Sequence, residues 1–165
     1  MGMVGCFAAV SPETLNRLRS DPEAIEEYLY PNDGEDEPPY YIDVDKAWHG
    51  IHYLLTGQAD GGMLPLSLAV VGGEEFGPEV GYGPARFLTP DQVSAVSAAL
   101  SSLTLEALRE RFDPQDMKVK DIYPDVIWVR DGEDAFDYLM EGYQQLVVFY
   151  RDAASRGDGA LQWLS

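Results

Sequence analysis

Both histidines of this 165-residue chain lie three residues apart, in the segment Asp45-Lys46-Ala47-Trp48-His49-Gly50-Ile51-His52-Tyr53-Leu54-Leu55-Thr56. Imidazole changes charge near neutral pH, so two of them beside a carboxylate are the first place to look for acid-base chemistry or metal ligation. On a helical repeat with Asp45 as origin, His49 falls at about +40°, His52 at about −20° and Thr56 at about +20°. Four polar side chains therefore share one stripe. Val44, Trp48, Ile51 and Leu55, widened by Ala47 and Leu54, form an apolar stripe next to it, which places the polar one at the rim of a core.

Three roles fit that stripe. The first is a binding or catalytic cleft built from Asp45, Trp48 and His52, with Tyr123 opposite, in which either histidine could serve as general acid or base. The second is a divalent metal held by Asp45, His49 and His52, since ligands at i, i+4 and i+7 leave one helical face; a closed site needs a fourth group from elsewhere. The third is structural: Asp45 favours the helix dipole and His52 hydrogen-bonds a neighbouring segment. No Ser/His/Asp or Cys/His arrangement accompanies the stripe. Cys6, the single cysteine, sits in the apolar run Met3 to Val10, where a thiolate is disfavoured. No cofactor is implied: the glycines 77, 81 and 83 lack the strand, helix N-terminus and lysine of a phosphate loop, and the segment 74–84 reads as a flexible connection.

The elements that must position the stripe follow from periodicity and punctuation. An apolar strand over 3–10 stops at Ser11-Pro12, an N-cap followed by proline, and a helix carries Leu15 and Leu18 inward. A short helix from Asp21-Pro22 carries Ile25, Tyr28 and Leu29. The run Pro31 to Pro39, PNDGEDEPP, combines turn formers with like charges and reads as an exposed loop that lacks the ligand order of an EF-hand. The stripe's helix spans 43–56 and closes on Gly57. Residues 64–71 fit helix or strand alike. Residues 85–88 read as a strand, Thr89 and Thr104 each cap a helix, and the segment from Asp113-Pro114 to Trp128 reads as strand or ordered loop. The longest helix runs from 131 to 156, with Phe136, Leu139, Met140, Tyr143, Val147 and Tyr150 on one side, and 161–164 form a terminal strand. The fold class is α+β: a helix-rich single domain over 1–165 with a small, mainly antiparallel sheet packed against helices.

Composition limits the partners. The chain holds 29 acidic against 11 basic residues, a formal net charge of −18, with 45% hydrophobic residues. Such a surface repels nucleic acid and anionic lipid, because binding phosphate depends on cations that displace counterions. It suits a basic protein partner, and a small molecule is the alternative. No apolar run reaches the length of a membrane span, and one cysteine suits a reducing compartment, so the expected location is the cytoplasm.

The chain resembles the YfbM-like family of small bacterial proteins of unknown function. The resemblance rests on Met1-Gly2-Met3-Val4-Gly5 with Phe7-Ala8, on the block Asp45 to Gly57, on Pro65-Leu66 with Ala69-Val70, on Gly83 to Leu88, on Ile122-Tyr123-Pro124 with Trp128, and on the final long helix. Within the block, Asp45, Lys46, Trp48, His52, Thr56 and Gly57 match the family pattern, whereas His49 is less characteristic. The family implies an α+β fold and no established activity.

Overall fold

A computed structural model describes residues 2–165. β1 (Gly5–Val10) is buried at all six positions, as its unbroken apolar sequence requires of a strand covered on both faces. Proline at the first helical position and a Ser11 side chain that accepts the Thr14 N–H start α1 (Pro12–Ser20). α2 (Ile25–Leu29) and the single turn α3 (Pro31–Gly34) follow. Then come β2 (Tyr41–Asp43), α4 (Trp48–Thr56), β3 (Glu74–Gly81) and β4 (Gly83–Leu88). A reciprocal Thr89–Gln92 capping box opens α5 (Pro90–Ser101). Thr104 caps α6 (Leu105–Arg111) and Asp113 caps α7 (Pro114–Val119). α8 (Ile127–Asp131), α9 (Glu133–Arg156) and β5 (Gly159–Leu164) complete the chain.

The five strands form one antiparallel sheet in the order β2-β1-β5-β4-β3. Phe7 and Ala9 point into the larger core, with residues of α4, α5 and α9. Cys6, Ala8 and Val10 point the other way, onto Leu15, Leu18, Ile25 and Leu29 of α1 and α2. Alternate residues of one strand thus serve two cores, which gives an α+β arrangement with helices on both faces of the sheet. Val4 and Ser165 exchange main-chain hydrogen bonds of 2.9 and 3.0 Å and extend the β1–β5 pairing. Among the described residues, no helix is long and apolar enough to cross a membrane.

The strands at the N-terminus, near 85–88 and at the C-terminus lie where the pattern put them, and β2 and β3 are additions. The 74–84 segment is no flexible connection: it supplies β3 and the turn into β4, with register shifts between Phe76 and Glu79 and between Glu79 and Gly81. Its glutamates, Gly77 and Pro78 hide the strand pattern because it is an edge strand, the place where proline, bulges and charge are tolerated. The 113–128 segment, expected as strand or loop, forms α7 and enters α8. Residues 66–68 make one 3-10 turn.

Candidate functional site

The stripe's geometry changes at its first residue. Asp43 Oδ1 accepts the Asp45 N–H at 3.0 Å, Asp45 takes a left-handed φ of 51°, and residues 45–47 form a 3-10 turn before α4 begins at Trp48. The α-helical wheel therefore does not reach Asp45. Its carboxylate instead accepts the Tyr138 hydroxyl at 2.8 Å, and that hydroxyl accepts the Lys46 N–H at 3.0 Å. Burial, and then the bond to Asp45, push the Tyr138 phenol's pKa upward. This cluster pins the start of α4 to α9. At the other end Gly57 closes α4 in the left-handed conformation, φ 72°, donating to the Tyr53 carbonyl at 2.7 Å.

His49 is saturated by backbone. Its Nδ1 accepts the Tyr123 N–H at 2.8 Å, and its Nε2 lies 2.7 Å from the Ala59 carbonyl. Since a carbonyl only accepts, the network assigns the neutral tautomer protonated on Nε2. Burial lowers the pKa of His49, against smaller opposing effects of Ala59 and Asp60. His52 is 1% exposed, and neither ring nitrogen has a hydrogen-bond partner among the described residues. Burial, then the nearby His49, lower its pKa as well; Gly61 lies close enough to oppose this in part, without hydrogen-bond geometry. The Asp45, His49, His52 metal set is therefore not assembled: Asp45 is outside the helix, and both His49 nitrogens are committed. Among the described residues no group of three or more His, Cys, Asp or Glu is placed to hold a metal ion.

Trp48 and Tyr123 do come together. Their rings stack with centroids 5.7 Å apart, and Trp48 also stacks on His49 at 4.8 Å. The pair clamps the backbone of Met3, whose carbonyl accepts Trp48 Nε1–H at 3.0 Å and whose N–H donates to the Tyr123 hydroxyl at 2.8 Å. Trp48 and His49 also line a cleft of about 310 Å³, with Asp60, Glu75, Tyr82 and Arg86 around it. Arg86 is held there by the Gly73 carbonyl at 3.2 Å and by Glu75 at 2.7 Å. Neither His52 nor Asp45 reaches this cleft. Burial pushes the Cys6 thiol's pKa up, which leaves it a poor nucleophile.

A larger groove, of about 620 Å³, was not visible in the sequence. It runs between β2 and the flank of α9, with Ile42, Val148 and Phe149 as its apolar lining and Glu141 and Asp152 carrying carboxylates. Tyr40 and Val148 are 59% and 44% exposed, and Arg156 lies 4.0 Å over the Tyr40 ring. The one signal available was Val148, a valine off the inward stripe of the long helix.

An antiparallel five-stranded sheet with helices on both faces, carrying several open clefts, defines a class of α+β protein and no single chemistry. The chain belongs to the family described as "Domain of unknown function (DUF1877)", which matches residues 1–163. It is 32% identical over 167 residues to Protein YfbM of Escherichia coli (strain K12), covering 98% of this chain and 97% of that protein. The crystal structure of YfbM from Escherichia coli, a protein of unknown function, superposes with a TM-score of 0.75 at 26% identity, over 98% of this chain and 99% of that one.

Proposed function

We propose that the protein is a binding module that receives a basic segment of a partner protein, with apolar side chains interspersed, in the groove between β2 and α9. The observation that carries this reading is the groove itself: exposed Val148 and Tyr40 beside Glu141 and Asp152. Apolar lining supplies burial. Arg156, which also lines the groove, is engaged by Asp158 at 2.8 Å, and Asp152 meets Arg151 at 3.3 Å. Among the described residues Glu141 is thus the groove's unengaged charge and, on a chain of net charge −18, favours cations over anions. The probe is a fluorescein-labelled octapeptide of alternating lysine and valine, titrated by anisotropy. Saturable binding is expected, weakening at least fivefold between 50 and 500 mM salt, because exposed charges are screened beyond a Debye length of about 10 Å at 0.1 M. Val148→Arg, at a half-exposed position, should weaken binding about tenfold with an unchanged circular dichroism spectrum. Equal affinity for the wild type and this variant, or for a glutamate-valine peptide, refutes the reading.

A second reading places a small molecule in the 310 Å³ cleft beside α4, where Trp48 stands next to Tyr82, Asp60 and Arg86. It predicts that a fragment screen followed by two-dimensional NMR finds compounds whose shifts centre on Tyr82 and Arg86. Hits confined to the β2–α9 groove count against it.

A further inference from the structure

We infer that the partner segment binds as an added strand on the outer edge of β2, extending the sheet to six strands. The inference rests on the groove reading above and names how the occupant is held.

The register of the β1–β2 pair fixes which main-chain groups face outward. Val44 N–H donates to the Gly5 carbonyl at 3.0 Å, and Ala9 N–H donates to the Tyr40 carbonyl at 3.4 Å. Residues of an antiparallel ladder alternate between facing the partner strand and facing away. With Phe7 opposite Ile42 and Ala8 opposite Tyr41, Ile42 turns its N–H and C=O toward β1, while those of Tyr41 and Asp43 turn away from it. Among the described residues, β2 ends the sheet on that side and pairs with no strand but β1. Tyr41 also lines the groove, although its ring crosses to the opposite face of the sheet and lies 5.9 Å from Trp163. The open edge and the groove therefore adjoin.

A strand laid there would pair with Tyr41 and Asp43. On the α9 face its side chains would fall on Val148 and Phe149, with the Glu141 and Asp152 carboxylates of the same helix beside them, and on the other face they would meet Asp43 and solvent. That pattern suits a basic and apolar alternation, as in other cases of strand addition. The opposite edge is less suited, because β3 is interrupted by register shifts around Gly77 and Pro78. Short edge strands ordinarily discourage pairing. Here the short edge is bordered by exposed apolar side chains, which protection of an edge does not call for.

The test uses the full chain, labelled with nitrogen-15, and two probes: the lysine-valine octapeptide, and the same peptide methylated on the four central backbone nitrogens. Strand addition predicts that the first probe slows hydrogen exchange of the Tyr41 and Asp43 amides at least tenfold at saturation, and that methylation weakens its binding at least tenfold. If both peptides bind alike, with shifts at Val148 and Asp152 and no protection of Tyr41 or Asp43, strand addition is overturned and the groove reading stands. If neither peptide binds saturably at 50 mM salt, both fall.

Discussion

Gln162 is fully buried in the central strand β5 and holds the segment between α4 and β3 in place. Its Oε1 accepts the Gly73 N–H at 3.0 Å, and its Nε2 donates to the Leu68 carbonyl at 2.6 Å and to the Tyr150 hydroxyl at 3.0 Å. Gln162→Leu keeps the volume and removes both polar ends. Tyr150 retains its bond to the Ala69 carbonyl at 2.6 Å, so two backbone groups, Gly73 N–H and Leu68 C=O, lose their side-chain partner. Each of the two stranded groups costs about 1–3 kcal/mol, and the relief of not burying an amide returns about 1, leaving a net loss of about 1–5 kcal/mol, centred near about 3. With a urea m-value of about 1–3 kcal/mol/M, the unfolding midpoint should fall by about 1–2 M. Equilibrium urea unfolding followed by tryptophan fluorescence measures it, and hydrogen exchange at Gly73 should accelerate beyond what the global loss explains. A midpoint within about 0.3 M of wild type would refute the accounting, since that shift corresponds to less than about 1 kcal/mol.

His52→Leu should raise stability by about 1–2 kcal/mol, because it removes two buried nitrogens without partners while keeping the volume; a loss greater than 1 kcal/mol in the same assay would show that the ring has a partner after all. Stability should fall on acidification, since both histidines have pKa values lowered in the folded state. The unfolded chain then binds more protons, so their contribution is complete above the unfolded histidine pKa of about 6.5 and declines below it, by at most about 1.4 kcal/mol per pH unit for each ring. Unfolding midpoints that do not change between pH 7.5 and 5 in wild type, or a slope not reduced in His52→Leu, would contradict this. Gly50→Ala should destabilise by up to about 2 kcal/mol, because overpacking of about 1–3 kcal/mol offsets and exceeds the helix-propensity gain of about 1; its Cβ would stand 2.5 Å from Leu139 and 2.6 Å from Trp128. A raised thermal midpoint would show that those two side chains move aside at little cost.

How much of this was legible depends on what each residue signals locally. The strand at 5–10, the caps at Ser11, Thr89 and Thr104 and the stop at Gly57 are written in residue types with direct physical meaning, and each falls where expected. Of the helix expected over 43–56, residues 48–56 are α-helical with Trp48 buried, while Asp43 ends β2 and 45–47 form a 3-10 turn. The polar stripe was misjudged because a helical wheel assumes one repeat throughout, and Asp43 breaks it by capping Asp45. His49 and His52 look equivalent in sequence; the backbone groups of Ala59 and Tyr123, distant in the chain, make one saturated and leave the other without partners. β3 was hidden by edge-strand chemistry. The β2–α9 groove required knowing that Ile42 and Val148 are neighbours, which no local pattern contains.

The order of strands has a consequence for synthesis of the chain. β5, made after the other four strands, lies between β1 and β4, so the pair β1–β2 and the hairpin β3–β4 have no shared border until residues 159–164 have left the ribosome. Every nascent intermediate before that point carries two apolar strand edges facing an empty slot. Assembly of the sheet thus waits for residues 159–164 and is an event of high contact order, and chaperone demand should be concentrated in the interval just before it.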